Sequence, residues 1–133
     1  MNKERMLELA DKIEATPHAT GKWNPMAPRG PLQGFNMQFF SAPRDGCGTA
    51  GCIAGWAAEL YREDSQEFEV ATVSRVFDIP HAEAHDLCYP SSATPGWGKL
   101  TPSMAANVLR AMAHGCSART AWYNISRSEA SDE

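Results

Sequence analysis

The chain has 133 residues, of which 43% are hydrophobic and 21% charged, and its formal net charge is −4. This composition is typical of one globular domain and excludes the disordered, fibrous and membrane-embedded classes. Because residues 1–16 mix charged and apolar side chains, they do not resemble a signal peptide. We therefore expect a cytoplasmic protein, without membrane contact, whose cysteines stay reduced.

The N-terminal part is predicted to contain a helix, an irregular arm and one extended segment. Residues 2–15 place apolar side chains on one helical face, at Met6, Leu9, Ala10 and Ile13. Residues 16–34 hold four prolines and three glycines, which predicts an irregular arm that Trp23 fixes to the body. Alternating apolar and polar residues predict one short extended or β segment near 35–40.

The middle of the chain is predicted to form three helices. The first covers about residues 49–62, and it is rich in alanine and glycine with little charge, so we expect it at the centre of the fold. A second helix should cover residues 68–77, where the apolar spacing fits a helix better than a strand. A third should begin after Pro80 and stop before Pro90.

Two further helices have clear local signals at their ends. Thr101 is a good N-cap, Gly115 suits the left-handed position after a helix, and Ser117 can cap the last helix. The elements together predict a mainly α fold, a compact bundle of five to six short helices around the central Ala/Gly-rich helix. The single helical domain should span residues 1–126, with a frayed polar tail at residues 127–133.

Acidic and basic residues are unevenly distributed. Residues 59–86 contain eight acidic and two basic side chains, whereas residues 87–128 contain four basic side chains and no acidic one. Either these two stretches are paired with each other inside the fold, or the basic stretch forms a face for an acidic partner. The candidate partner-binding residues are Trp23 in the arm and the acidic group Glu63, Asp64, Glu67 and Glu69.

The most unusual segment is residues 45–57, which reads Asp-Gly-Cys-Gly-Thr-Ala-Gly-Cys-Ile-Ala-Gly-Trp-Ala. Its Cys-Gly-Thr-x-x-Cys-Ile-Ala-Gly pattern resembles a motif shared by a scattered set of small, uncharacterised proteins of phages and bacteria. The resemblance extends more loosely over residues 35–122. It implies a phage-type accessory protein but no particular reaction.

Cys47 is a candidate nucleophile. If the helix begins at residue 49, Cys47 lies just before its N-terminus, where the helix dipole and unpaired amides stabilise a thiolate. A thiol enzyme also needs a base, and nothing in the sequence places a histidine beside Cys47. The alternative is that Cys47 and Cys52 are small buried residues in tight turns.

His81, His85 and Cys88 are candidate metal ligands. They follow one another at i, i+4 and i+7, so they share one helical face, and imidazole and thiolate are both good zinc ligands. Cys47, Cys52 or His114 could supply a fourth ligand. The alternative is that Cys88 is an ordinary core residue, in which case no cofactor is expected.

Residues 109–127 read as a helix, a Gly-Cys-Ser turn and a second helix, which is the layout of a DNA-binding helix-turn-helix. The second helix would present four residues to nucleic acid, Arg119, Thr120, Tyr123 and Asn124. Ala121, however, stands where a larger aliphatic residue is usual. A helical hairpin that closes the core is the alternative.

These observations favour a non-enzymatic accessory protein that binds a host or phage protein, for example as an inhibitor of a host defence complex. Its place of action would be the host cytoplasm if a phage encodes it. A DNA-binding regulator is the first alternative, and a thiol- or zinc-dependent protein is the second.

Overall fold

Six helices and a small sheet make up the described part of the chain in the computed structural model, which is residues 1–18, 32–35, 42–44, 48–61, 69–90 and 100–131. The helices are α1 (Lys3–Glu14), α2 (Ile53–Leu60), α3 (Glu69–Phe77), α4 (His81–Cys88), α5 (Pro102–Ala113) and α6 (Ala118–Ser131). The strands are β1 (Leu32–Phe35), β2 (Ala42–Arg44) and β3 (Gly48–Gly51). The predicted mainly α fold class is confirmed. Within these ranges, every helix is too short or too polar to span a bilayer.

The helices form a closed ring of contacts around one apolar core. α1 packs on α5, α5 on α6, α6 on α4, α4 on α3, α3 on α2, and α2 packs back on α1. The apolar residues that predict α1 are all fully buried, at Met6, Leu9, Ala10 and Ile13. Each large side chain buried in this way contributes roughly 1.5–3 kcal/mol to folding. The core therefore joins the first helix of the chain to the last.

Helix α2 is the predicted Ala/Gly-rich helix, and it is shorter than the sequence indicates. Residues 53–58 are buried, which agrees with its low charge. It begins at Ile53 rather than near residue 49, because residues 48–51 form strand β3. The indole Nε1 of Trp56 donates a hydrogen bond of 3.0 Å to the carbonyl oxygen of Gly34, which fixes α2 to β1.

The sheet is the main difference from the sequence prediction. β3 is the middle strand, parallel to β1 and antiparallel to β2, so three strands are present where one extended segment is predicted. β1 also begins inside the predicted irregular arm of residues 16–34, and residues 36–40 lie outside the described residues. Phe35 at the end of β1 is fully buried and anchors the sheet on the core.

The start of α5 has the local structure that its sequence predicts. Thr101 is the N-cap, and its Oγ1 accepts a hydrogen bond of 3.1 Å from the amide of Met104. Pro102 occupies the first helical position, where its missing amide hydrogen costs nothing.

The turn after α5 also agrees with its sequence. Gly115 has a φ of 106°, and its amide donates to the carbonyl oxygen of Met112 at 3.0 Å. The amide of Cys116 donates to the carbonyl oxygen of Ala111 at 3.0 Å, which completes a Schellman motif. α6 then continues to Ser131, so the first residues of the predicted frayed tail are helical.

Candidate functional site

Helix α6 has one buried side and one exposed side. Ala118, Ala121 and Trp122 are buried in the core. The exposed side contains the four residues that the sequence assigns to nucleic-acid contact, Arg119, Thr120, Tyr123 and Asn124. We call these four residues the α6 face. The structure therefore brings this predicted set together on one surface.

Two contacts with α4 hold α6 in place. The indole Nε1 of Trp122 donates a hydrogen bond of 3.1 Å to the carbonyl oxygen of Leu87. Oε2 of Glu83 accepts a hydrogen bond of 3.0 Å from the amide of Ala118, the first residue of α6. Ser117 adds a local cap, because its Oγ accepts from the amide of Thr120 at 3.2 Å. The α6 face is thus presented on a helix whose start and buried side are both fixed.

Tyr123 is the large aromatic group of the α6 face. Its side chain is 46% exposed, whereas Trp122 beside it is fully buried. Arg119 precedes Tyr123 by one helical turn, and both are exposed. A cation and an aromatic ring at this spacing form a compact surface that can contact a partner by stacking, hydrogen bonding and charge.

The charges near α5 and α6 are partly paired within the fold. Arg110 of α5 makes a bidentate ion pair with Glu14 of α1, at 2.7 and 3.0 Å, and a further contact of 3.0 Å with Asp11. This pairing lowers the pKa of Glu14 below its ordinary value of 4.5 and raises the pKa of Arg110. Arg110 is therefore matched by acids of α1 and adds no net charge to a basic surface.

The Arg110 pair is also a feature that sequence reasoning missed. Arg110 and Glu14 are 96 residues apart in the chain, so no local pattern connects them. Pairing between residues 59–86 and residues 87–128, which the sequence suggests, does not hold for Arg110, because its partners Asp11 and Glu14 belong to α1. Lys99 lies outside the described residues, and the side chain of Arg127 is not described.

The structure places Cys52, and not Cys47, at the N-terminus of α2. Cys47 lies outside the described residues, and strand β3 separates it from the helix. The effect of a helix dipole falls off within the first turn, so the argument for an activated Cys47 thiolate is wrong in its geometry. Cys52 is the N-cap residue and is 97% buried, which agrees with the alternative of a small packed residue.

The three candidate metal ligands of α4 do not face one common site. Cys88 is buried in the apolar core, whereas His81 and His85 are exposed. The predicted set of three ligands is therefore divided between core and surface. In the described part of the chain, no cluster of three or more His, Cys, Asp or Glu side chains could hold a metal ion.

The remaining candidate partner-binding residues give no surface that can be described. Trp23, Glu63, Asp64 and Glu67 lie outside the described residues. Glu69 is the first residue of α3, and its side chain is not described. These residues stay predictions of the sequence.

Comparison of the chain with protein-family models, with curated proteins and with solved structures gives no match in any of the three. The resemblance to small phage and bacterial proteins therefore depends on the motif in residues 45–57.

Proposed function

We propose that this chain is a non-enzymatic, phage-type accessory protein that acts by binding another protein through the α6 face. The observation that carries the proposal is the exposed pair of Arg119 and Tyr123 on a helix whose other side is locked into the core. Arginine and tyrosine are among the residues that most often dominate the binding energy of protein interfaces. Because α6 is already helical and its buried side is packed in the core, binding through it requires no folding of the helix.

Charge favours a protein partner over a nucleic acid. Binding of DNA requires several phosphate contacts from basic side chains, and the chain has a net charge of −4. Arg110, the basic residue of α5, is paired with Asp11 and Glu14. Helix N-termini often bind phosphate groups, but at α6 a carboxylate of Glu83 already accepts the first amide. Arg119 is then the basic group of the α6 face.

The class of target follows from the resemblance to small phage and bacterial proteins. Such an accessory protein would meet host or phage proteins in the host cytoplasm, and a host defence complex is one target of this kind. The arm with Trp23 and the acidic residues around Glu63 would supply a second contact surface for a large target.

Affinity capture tests the proposal. Tagged protein is incubated with bacterial lysate, with and without nuclease, and captured species are identified by mass spectrometry. We expect a protein partner in stoichiometric amount that survives nuclease treatment. Capture of nucleic acid alone, lost after nuclease treatment, would contradict the proposal.

A DNA-binding regulator is the second candidate, and one observation favours it. Helix α5, the Schellman turn at Gly115 and helix α6 follow one another as in a helix-turn-helix, with the α6 face in the position of a recognition surface. Titration with duplex DNA over a series of salt concentrations tests it. Binding whose affinity falls steeply with salt would support the regulator, and absence of binding at low salt would remove it.

A further inference from the structure

Two histidines of α4 form a pair on its solvent-exposed side. His81 and His85 are separated by four residues, which places them about one helical turn apart, roughly 6 Å along the axis. Both side chains are exposed, while Ala84, Leu87 and Cys88 form the buried side of the helix. The two imidazoles therefore share a face of α4 that the core does not use.

This spacing suits a metal ion. Two histidines at i and i+4 on a helix can bind one ion from the same side, as they do in helical zinc motifs. Imidazole nitrogen is a preferred ligand of zinc, copper and nickel ions, whereas magnesium and calcium prefer oxygen. The pair consequently favours a divalent ion of the late transition metals.

A carboxylate beside one ring supports the same chemistry. Nδ1 of His85 lies 3.8 Å from Oδ1 of Asp86. This distance is too long for a hydrogen bond, so the carboxylate acts on the site only through its charge, which favours a bound cation nearby. The ring of His85 also lies 5.2 Å from that of Tyr89, measured between ring centroids.

Glu83 lies between the two histidines in sequence, but it is occupied elsewhere. Its Oε2 accepts the hydrogen bond from the amide of Ala118 on the side of α4 that faces α6. His81 and His85 therefore remain as the exposed imidazoles of α4, with the partly exposed carboxylate of Asp86 beside His85.

We propose that His81 and His85 form a two-histidine surface site for a divalent late transition-metal ion, with water completing the coordination. The site does not depend on the proposed function of the α6 face. Cys88 is excluded from it, because its thiol is buried in the core.

Titration of the full chain with Zn²⁺ in a non-coordinating buffer, followed by calorimetry, tests the site. All variants carry Cys116→Ser, because an exposed thiol is itself a zinc ligand. We expect one ion per chain and a loss of affinity of at least about tenfold in both His81→Ala and His85→Ala. Alanine favours a helix, so both variants should keep the fold, which circular dichroism checks.

Two controls separate this site from general binding by histidine. His114→Ala should leave the affinity unchanged, because His114 lies at the end of α5 and its Nδ1 is 2.7 Å from the carbonyl oxygen of Arg110. The double variant His85→Ala/Asp86→His keeps the number of histidines. It places the second histidine about 140° around the helix from His81, compared with about 40° for His85 in the native chain. It should bind as weakly as His85→Ala.

The proposal is overturned if the chain does not bind Zn²⁺. It is equally overturned if His81→Ala keeps the full affinity, or if His85→Ala/Asp86→His binds as tightly as the chain with both native histidines.

Discussion

Glu83 of α4 accepts a hydrogen bond from the backbone amide of Ala118, at 3.0 Å, and so caps α6 from a different helix. The carboxylate is held at the positive end of the helix dipole, where it is electrostatically favourable. The contact spans 35 positions of the chain and fixes the start of α6 on α4. It also occupies the site where a phosphate would bind, which is one reason to prefer a protein as the partner of the α6 face.

Removal of this cap should destabilise the protein. Loss of a helix N-cap costs about 1 kcal/mol, and we expect a loss of that size in the free energy of unfolding for Glu83→Ala. Glu83→Gln keeps an oxygen acceptor and should lose less. Urea denaturation followed by circular dichroism measures both variants, and equal stability of Glu83→Ala and the native chain would contradict the cap.

The ion pair of Glu14 and Arg110 should make stability depend on pH. In the folded state, the hydrogen bonds that Arg110 donates to Glu14 lower the pKa of this carboxylate, so the folded state favours its ionised form. The resulting stabilisation is fully present above pH 4.5, the ordinary pKa of a glutamate side chain. It is lost as the pH falls through the lowered pKa of the folded state.

The comparison that isolates this effect is between the native chain and Glu14→Gln. The difference in their urea midpoints should be largest near neutral pH and should shrink as the pH falls below the ordinary glutamate pKa of 4.5. Glu4→Gln, on an exposed position of the same helix, serves as the control. A difference that does not change with pH would show that the pair contributes no pH-dependent stability.

Two buried threonines should respond oppositely to replacement by valine. The Oγ1 of Thr72 in α3 is buried and has no hydrogen-bond partner among the described residues. The Oγ1 of Thr16, which is also a buried residue, donates to the carbonyl oxygen of Lys12 at 2.7 Å. An unpaired buried hydroxyl costs free energy, whereas a paired one contributes about 1 kcal/mol.

We therefore expect Thr72→Val to raise the free energy of unfolding by about 1 kcal/mol and Thr16→Val to lower it by about the same amount. Thermal and urea unfolding measure both. A loss of stability in Thr72→Val would indicate that its hydroxyl has a partner, and would contradict this assignment.

Tyr61 should make the protein sensitive to alkaline pH. Its hydroxyl lies 2.8 Å from Oε1 of Glu8 and 2.9 Å from the carbonyl oxygen of Arg5, so its one proton can be donated to either. Burial, followed by the contact with Glu8, raises the pKa of Tyr61 above its ordinary value of 10.0. The folded state thus favours the neutral phenol, and this stabilisation is lost as the pH rises above 10.0.

Tyr61→Phe removes the hydroxyl and should cost about 1 kcal/mol at neutral pH. Above the ordinary tyrosine pKa, the native chain should lose stability more steeply than this variant. Denaturation at a series of alkaline pH values measures the two slopes, and parallel slopes would show that Tyr61 is not the group responsible.

The parts of the fold that the sequence predicts well are those with local physical causes. Thr101 and Gly115 mark the ends of α5 because a cap and a left-handed residue act within one turn of the helix. The exposed side of α6 follows from helical periodicity in the same way. Its residues could therefore be named before their contacts were known.

Features that depend on distant partners could not be predicted. Strand β3 reads Gly-Thr-Ala-Gly, which has no apolar alternation and two glycines, and it is a strand because β1 and β2 pair with it on both sides. Because residues 48–51 form this strand, α2 begins at Ile53, and Cys47 does not directly precede the helix as the sequence prediction assumes. The caps and ion pairs of Glu83 and Arg110 likewise join helices that are far apart in the chain.

The measurement that tests the central claim most directly compares two double variants in the nuclease-treated capture experiment. Arg119→Ala/Tyr123→Ala removes the cation and the ring of the α6 face. Lys3→Ala/Leu7→Ala removes a cation and a large apolar side chain at the same spacing on α1, where both are also exposed.

If the partner binds the α6 face, the first variant should capture at least about tenfold less of it, and the second should capture as much as the native chain. Urea denaturation of both variants checks that a loss of capture is not a loss of folding. Equal capture by Arg119→Ala/Tyr123→Ala and the native chain would contradict the account.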